Sequence, residues 1–201
     1  FHNIPVLSPP LVADMSSDLF SRPLDYSRFG LFYAGAQKNL GPAGTTLIIV
    51  DINLLGKVTR SVPSMMDYSL QIAKDSMFNT PPVFPIYTSL LNMRWIVKQG
   101  GLEAVGKANA AKAKLLYDEI DRNAAFEGFA AVEDRSMMNA TFNLTDEDTA
   151  ASFDALWNAA GISGLKGHRS VGGYRASMYN ALPIESVELL VEVMKEFERT
   201  K

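Results

Sequence analysis

The chain has 201 residues, of which 47% are hydrophobic and 20% are charged, and its formal net charge is -3 at pH 7. These values are ordinary for a globular protein with a sizeable core, and they exclude the basic surface by which proteins bind nucleic acid. The absence of cysteine excludes disulfides and thiol catalysis, and two histidines are too few for a multi-histidine metal site. We therefore expect no metal, no nucleic acid and a cytoplasmic location. No apolar run approaches the roughly 20 residues of a membrane-spanning helix, so we also expect no membrane partner.

Three apolar runs near the start of the chain predict neighbouring strands. They cover residues 11–15, 29–33 and 45–50. Their spacing leaves too little room for crossover helices, so we expect part of the sheet to be antiparallel. Asp14 lies at the end of the first run. A carboxylate in that position either caps a turn or faces a ligand at the carboxyl edge of the sheet.

One lysine lies between the second and third runs, in the segment YAGAQKNLGPAG that begins at Tyr33. A lysine near a core is costly to place unless its charge is neutralised or its amine is used covalently. The small residues at positions 34–36 leave room for a flat group close to the backbone. This pattern predicts that Lys38 forms a Schiff base with pyridoxal phosphate, and Asp14 would then balance the pyridine nitrogen. An exposed lysine in a hairpin loop is the alternative interpretation.

The middle of the chain is predicted to be helical. Asn79 and Thr80 precede two prolines, and they either cap the following helix or donate hydrogen bonds to a phosphate group. A helix from Val83 has an apolar stripe formed by Ile86, Leu90, Met93 and Val97. A second helix follows, over residues 102–123.

The last third of the chain has the pattern of a small α/β unit. The predicted elements are a strand over residues 137–144, a helix with Thr145 as its cap, a strand over 172–179 and an amphipathic helix over 184–198. His168 and Arg169 lie in a glycine-rich loop, and Arg175 lies on the strand that follows it. An arginine on an inward-facing strand suits a carboxylate-bearing substrate.

Four segments in register resemble the phosphoserine aminotransferase family. They are ADMSS from Ala13, YAGAQKNLGPAG from Tyr33, FNTPP from Phe78 and GHRSVGGYRAS from Gly167. The match runs along essentially the whole chain, which looks like the carboxy-terminal part of such an enzyme and begins without methionine. The resemblance implies an α/β fold: part of a fold-type I large domain that binds pyridoxal phosphate over residues 1–101, a connecting helix over 102–123, and a small C-terminal domain over 124–201.

The resemblance also implies the roles of the cofactor-binding residues. Lys38 would be the Schiff-base lysine, Asp14 would pair with the pyridine nitrogen, and Gln37 would contact the cofactor phosphate. Asn79 and Thr80 would reach the phosphate of the cofactor held by the other subunit, because the family is expected to form homodimers with shared active sites.

The substrates implied by the resemblance are phosphorylated. Arg175 would bind the α-carboxylate, and His168 and Arg169 would hold the phosphate or the distal carboxylate, unless these last two are ordinary solvated surface groups. The implied reaction is that of a transaminase in L-serine biosynthesis. It converts 3-phosphohydroxypyruvate and L-glutamate to O-phospho-L-serine and 2-oxoglutarate, and a phosphorylated hydroxythreonine of pyridoxine biosynthesis is a possible further substrate.

Two other functions stay open at this point. One is another fold-type I aminotransferase, such as an alanine-glyoxylate aminotransferase; a cysteine desulfurase is excluded because the chain has no cysteine. The other is a non-catalytic dimerisation fragment, because the family's cofactor-stacking aromatic residue and further substrate arginines precede the segment that this chain matches.

Overall fold

Two compact units make up the part of the chain that the structure describes. The structure is a computed structural model, and it describes residues 4–200. One unit is Pro5–Gln99, and the other extends from Gly100 to the end of the described chain. Each unit contains a three-stranded sheet together with helices, so the expected α/β fold class is confirmed.

The sheet of the first unit consists of β1 (Val12–Asp14), β2 (Leu31–Gly35) and β3 (Thr46–Val50). β1 pairs in parallel with β2, and β2 pairs antiparallel with β3. The mixed sheet predicted from the short spacing is therefore confirmed. Its small core contains Met15, Leu19, Phe32, Ala34, Ala36 and Leu40.

Two helices follow in the first unit, α1 (Tyr68–Ala73) and α2 (Val83–Lys98). The Asp67 side chain accepts a hydrogen bond from the Ser69 amide and caps α1. α2 has Pro82 at its N-cap and no side-chain cap. Capping by Asn79 or Thr80 was one expectation, and it is wrong, because the prolines place these residues too far upstream of the first turn.

The apolar stripe of α2 is exposed. The periodicity correctly predicted the helix, but the stripe residues are all exposed: Ile86, Leu90, Met93 and Val97. The buried side chains of α2 are instead Ser89 and Ile96. Within residues 4–200, the stripe side chains stay 38 to 73% exposed. An open apolar surface of this kind is typical of a face that packs against another polypeptide segment or chain.

The second unit packs three helices with an antiparallel sheet. The helices are α3 (Gly101–Arg122), α4 (Ala150–Ala159) and α5 (Ile184–Thr200). The strands are β4 (Phe126–Gly128), β5 (Asn139–Leu144) and β6 (Tyr174–Ser177), in that order across the sheet. β4 was not predicted, because three residues are too few to produce a recognisable alternation. Short 3-10 helices occupy Tyr26–Arg28, Ile52–Leu54, Ser64–Met66, Val132–Asp134 and Glu147–Thr149.

An aromatic cluster fills the core of the second unit. Its ring centroids lie 5.0 to 5.7 Å apart, and its members are Phe126, Phe142, Phe153, Tyr174 and Phe197. Edge-on and offset arrangements at these distances add to the stabilisation from burial. The inward face predicted for the last helix is buried: Val187, Leu190, Val191 and Met194.

The start of α4 differs from the expectation. Thr145 does not cap the helix, because its hydroxyl donates to the Ala124 carbonyl at 3.0 Å. The Asp146 side chain instead accepts a hydrogen bond from the Asp148 amide at 3.2 Å. A single 3-10 turn then leads into α4. Asp146 therefore caps this turn one residue after the predicted cap, and α4 itself has Thr149 at its N-cap without a side-chain hydrogen bond.

A buried lysine joins α3 to the connection between β6 and α5. Lys112 is 2% exposed. Its ammonium donates to the carbonyls of Met178, Tyr179 and Leu182 at 3.1, 2.9 and 3.0 Å. Burial lowers the pKa of Lys112, and the three carbonyl dipoles provide the acceptors that a buried ammonium requires.

We expect Phe153→Ala to destabilise the second unit by about 3–5 kcal/mol, because it removes a fully buried ring from the aromatic cluster. Phe129→Ala is the matched control, since Phe129 is 61% exposed, and it should change the free energy of unfolding by less than about 0.5 kcal/mol. Urea unfolding followed by circular dichroism measures both. Equal effects of the two substitutions would contradict the assigned core.

Candidate active site

One edge of the first sheet brings Asp14 and the Lys38 loop together. Asp14 is the last residue of β1 and is paired in register with Tyr33 of β2. Because β1 and β2 are parallel, their carboxyl ends lie at the same edge of the sheet. Lys38 is in the turn that follows β2 at this edge. The pairing of β1 with β2 thus brings Asp14 and the Lys38 loop to the same edge, although they are far apart in the sequence.

A serine after β1 binds the amine of Lys38. The half-buried Lys38 donates from Nζ to the Ser17 hydroxyl at 2.5 Å. The positive charge of Lys38 also contributes to lowering the pKa of Asp14. The amine is therefore held beside the end of β1 and interacts electrostatically with the Asp14 carboxylate.

The Asp14 carboxylate is held in its ionised form. Its Oδ1 accepts a hydrogen bond from the Ser16 amide at 2.8 Å. The pKa of Asp14 is lowered chiefly by the Ser16 hydroxyl and then by the Ser16 amide, with smaller contributions from Tyr33 and Lys38. Asp14 thus makes the local turn that one interpretation predicted. Its side chain is nevertheless exposed and anionic, as the ligand-facing interpretation requires.

Backbone and amide hydrogen bonds fix the Lys38 loop. The Lys38 amide donates to the Ala36 carbonyl at 2.7 Å. The buried Asn39 side chain donates to the Leu19 carbonyl at 3.1 Å. From α2, Asn92 donates to the Asn39 carbonyl at 2.6 Å. The loop is therefore tied both to the segment after β1 and to α2.

The small residues before Lys38 serve packing. Ala34 and Ala36 are 1% and 0% exposed and belong to the core. Both methyl groups therefore contribute to packing, and the interpretation that these small residues leave room for a flat group stays a prediction. Gly35 has a different requirement: a Cβ there would lie 2.5 Å from Oε1 of Gln37. The Gln37 side chain occupies this space and is exposed.

The Asn79–Thr80 pair lies apart from this edge in the hydrogen-bond network. Both residues are exposed, and the Asn79 amide donates to the Thr80 carbonyl at 3.3 Å. Within the described chain, no hydrogen bond joins them to Asp14, Gln37 or Lys38.

In the second unit, the three predicted substrate residues lie on one hairpin. We call residues 165–175 the cationic hairpin. Its stem is closed by hydrogen bonds from the Gly167 amide to the Gly173 carbonyl at 2.8 Å and from the Arg175 amide to the Leu165 carbonyl at 2.7 Å. At the tip, the amides of Val171 and Gly172 donate to the His168 carbonyl, both at 2.8 Å.

The cations of this hairpin are exposed. The His168 ring Nδ1 lies 2.6 Å from the Ser170 hydroxyl. Arg169 at the tip and Arg175 on β6 are exposed, and neither forms an ion pair with a residue of the described chain. Arg175 is directly opposite Thr141 of β5. Unpaired guanidinium groups of this kind suit a carboxylate or phosphate ligand.

The structure therefore assembles two groups of predicted residues, one in each unit. Sequence reasoning missed Ser16 and Ser17 as members of the first group, although both hydroxyls directly follow Asp14 and its strand. Over residues 4–200, no cluster of three or more His, Asp or Glu side chains is arranged to hold a metal ion. No described helix is long and apolar enough to cross a membrane.

Comparison with known proteins identifies the class of protein. The family model for aminotransferase class-V matches residues 10–190, and the chain belongs to this family. Its relatives include the phosphoserine aminotransferase of Flavobacterium psychrophilum, which is 63% identical over 196 residues, with 98% of this chain and 55% of the relative covered.

Solved structures agree with this assignment. The phosphoserine aminotransferase of Bacillus circulans subsp. alkalophilus matches with a TM-score of 0.94 and 48% identity, covering 100% of this chain and 56% of that one. A pyridoxal-phosphate-bound phosphoserine aminotransferase from Trichomonas vaginalis matches with a TM-score of 0.91 and 40% identity, covering 97% and 56%. The predicted resemblance is confirmed. The chain spans about half the length of these relatives.

We expect Ser16→Ala to raise the pKa of Asp14, because the Ser16 hydroxyl is the largest of the interactions that lower it. Ser17→Ala is the matched control and should raise it less, since Ser17 binds Lys38. Carbon-13 NMR titration of the Asp14 carboxyl measures both values. The larger rise in the Ser17 variant would contradict the assignment.

We expect Gly173→Ala to disrupt the cationic hairpin more than Gly172→Ala. Both glycines have positive φ, 62° and 80°, so alanine costs about 1 kcal/mol at either position. Only at Gly173 would the new methyl group also overlap the Asn143 side chain, whereas Gly172 has open space. Thermal unfolding and amide exchange of residues 167–173 test this difference. Identical behaviour of the two variants would rule out the close contact.

Proposed function

We propose that this chain carries the lysine-bearing part of a phosphoserine aminotransferase that uses pyridoxal phosphate. The reaction is the conversion of 3-phosphohydroxypyruvate and L-glutamate to O-phospho-L-serine and 2-oxoglutarate. The observation that carries the proposal is that the Lys38 amine, bound by Ser17, and the anionic Asp14 lie at the same sheet edge. The names of the relatives add independent support.

The donor set of this edge fits the cofactor. Asp14, Gln37 and Lys38 would hold pyridoxal phosphate, which when bound supplies a protonated ring that withdraws electrons from the substrate α-carbon. Asp14 suits a protonated ring nitrogen because its lowered pKa keeps it anionic at neutral pH. Gln37 offers an exposed amide donor for the phosphate.

Lys38 has two tasks in this proposal. Its Nζ would hold the cofactor covalently, and as a free amine it would act as the general base for the proton on the substrate α-carbon. Ser17 accepts a hydrogen bond from the same Nζ, so it orients the amine at the sheet edge. The tight loop from Ala36 fixes the backbone from which this side chain extends.

The cationic hairpin provides the substrate charges. Arg175 would bind the α-carboxylate, and His168 and Arg169 would bind the phosphate of phosphoserine or the distal carboxylate of glutamate. Support comes from the exposure of the three side chains and from the two unpaired guanidinium groups. A local cluster of cations attracts multiply charged anions even though the chain is slightly acidic overall.

The active sites are proposed to be shared within a homodimer. Asn79 and Thr80 would contact the phosphate of the cofactor in the other subunit, which is compatible with their exposure and with their lack of hydrogen bonds to the Lys38 site. The uncovered apolar stripe of α2 supports an extensive contact with further polypeptide. The cytoplasmic location and the use of a phosphorylated hydroxythreonine stay predictions.

A second candidate function is that of a non-catalytic fragment. The observation that favours it is coverage, since the chain spans 55% of the length of its Flavobacterium psychrophilum relative. The two candidates differ in whether cofactor attachment is accompanied by turnover.

We expect Lys38→Ala to abolish covalent attachment of pyridoxal phosphate, because no other amine is placed beside Asp14 in the described chain. Borohydride reduction followed by mass spectrometry locates the attached cofactor. Lys57→Ala is the matched control, since Lys57 is an exposed lysine of the same unit, and it should keep full labelling.

The same proteins are assayed with O-phosphoserine and with alanine as amino donors. Turnover of O-phosphoserine by the product of the complete open reading frame supports the proposal, and preference for alanine refutes it. Labelling of Lys38 without any turnover identifies the non-catalytic fragment. Absence of labelling in the unmodified chain overturns the assigned lysine.

A further inference from the structure

A carboxylate outside the predicted site binds the stem of the cationic hairpin. Asp154 lies on α4, and its side chain is 26% exposed. Its Oδ1 accepts hydrogen bonds from the Trp157 indole and the Tyr174 hydroxyl, both at 3.0 Å, and its Oδ2 accepts one from the Lys166 ammonium. Trp157 belongs to the same helix as Asp154, but Lys166 and Tyr174 belong to the hairpin.

The two hairpin donors lie on opposite arms. Lys166 and Tyr174 face each other in an antiparallel bridge across the stem. One carboxylate therefore binds both arms at the same level. Lys166 precedes the tip, which carries His168 and Arg169, by two residues, and Tyr174 is next to Arg175 in sequence. The residues that Asp154 binds are therefore close in sequence to all three exposed cations of the hairpin.

The packing around Asp154 fixes one arm firmly. The Tyr174 ring stacks on Phe142 at 5.5 Å and meets Phe153 edge-on at 5.0 Å. The Lys166 ammonium lies 5.2 Å from the Tyr174 ring centroid. The Lys166 arm thus reaches the core through the buried Leu165 and through the contacts of Lys166 with Asp154 and Tyr174. The hydrogen bonds that the structure describes at the tip join residues 168–172 to one another.

Asp154 and Tyr174 each keep one charge state near neutral pH. Desolvation raises the pKa of Asp154, but hydrogen bonds from Lys166, Trp157 and Tyr174 outweigh it, so the pKa is lowered overall. Desolvation and the neighbouring Asp154 raise the pKa of Tyr174. Asp154 therefore stays an acceptor and Tyr174 stays a donor wherever a transaminase of this kind would work.

We propose that Asp154 is a positioning residue for anion recognition, which sets the placement of His168, Arg169 and Arg175 by binding both arms of the cationic hairpin. Its ligand class is a phosphorylated or dicarboxylic amino acid, and Asp154 itself touches no ligand. This inference rests on the proposed function and adds a residue that the sequence motifs did not indicate. Charged ligands bind with an affinity that depends steeply on such placement.

The test compares binding with turnover in the product of the complete open reading frame. Asp154→Asn keeps the size of the side chain but removes its charge and one acceptor oxygen. We expect the KM for O-phosphoserine to rise about tenfold while kcat stays within about twofold, because Asp154 contacts the hairpin stem and is proposed to act on ligand binding alone. Cofactor labelling at Lys38 should be unchanged.

Two further variants separate positioning from general stability. Lys166→Met removes one arm of the contact and leaves the Trp157 and Tyr174 hydrogen bonds to Asp154 intact; it should raise KM in the same direction. The double variant of Asp154→Asn with Lys166→Met should add little to the larger single effect, because both substitutions break one interaction. Additive effects would overturn the inference. If Asp154→Asn fails to fold, the KM of Lys166→Met alone tests the inference.

Asp121→Asn is the matched control in the same unit. Asp121 receives two hydrogen bonds from Arg135, at 2.7 and 2.6 Å, and contacts no part of the cationic hairpin. The Asp121→Asn substitution should leave the KM for O-phosphoserine unchanged even if the melting temperature falls. A KM increase of equal size in this control, or a melting-temperature loss in Asp154→Asn with unchanged KM, would reduce Asp154 to a structural residue.

Binding of inorganic phosphate gives a readout that is independent of catalysis. In the 201-residue chain, NMR amide shifts of residues 168–172 should report phosphate binding that weakens about tenfold in Asp154→Asn. Phosphate binding that depends on Asp154, in a protein without transamination, refutes the proposed function but supports the inference. Transamination together with unchanged phosphate affinity in Asp154→Asn refutes the inference alone.

Discussion

The parallel pairing of β1 with β2 is the constraint on which the candidate active site depends. It places the last residue of β1, Asp14, at the edge from which the Lys38 loop departs. The two serines after β1 then complete the arrangement: Ser16 keeps Asp14 ionised and Ser17 binds the Lys38 amine. A one-residue shift in this register would turn the Asp14 side chain to the other face of the sheet.

The two units are stabilised in different ways. The second unit has a continuous aromatic core and buries its helices on the sheet, and the buried Lys112 ammonium and the Asp154 carboxylate each join two elements by several hydrogen bonds. The first unit has a small core and an exposed apolar stripe on α2. Hydrogen bonds around Asn39 tie its Lys38 loop to the segment after β1 and to α2.

Part of the fold could be predicted because it follows from local sequence patterns. Apolar runs predicted β1 to β3, and helical periodicity predicted α2, α3 and α5 within a few residues. Prediction failed where a tertiary partner decides the outcome. The stripe of α2 is apolar and still exposed, and Thr145 binds the distant Ala124 carbonyl in place of the helix end.

The sequence by itself determined the family and the residue types of the site, because motifs around Lys38, Asp14 and Arg175 keep their order and spacing. Only the tertiary structure decided that Ser17 binds the Lys38 amine and that Asp154 accepts hydrogen bonds from both arms of the cationic hairpin. The reason is geometric. Ser17 and Lys38 are 21 residues apart in the sequence, and Asp154 and Tyr174 are 20 apart. Contacts over such sequence distances follow from strand pairing and helix packing, which no local pattern encodes.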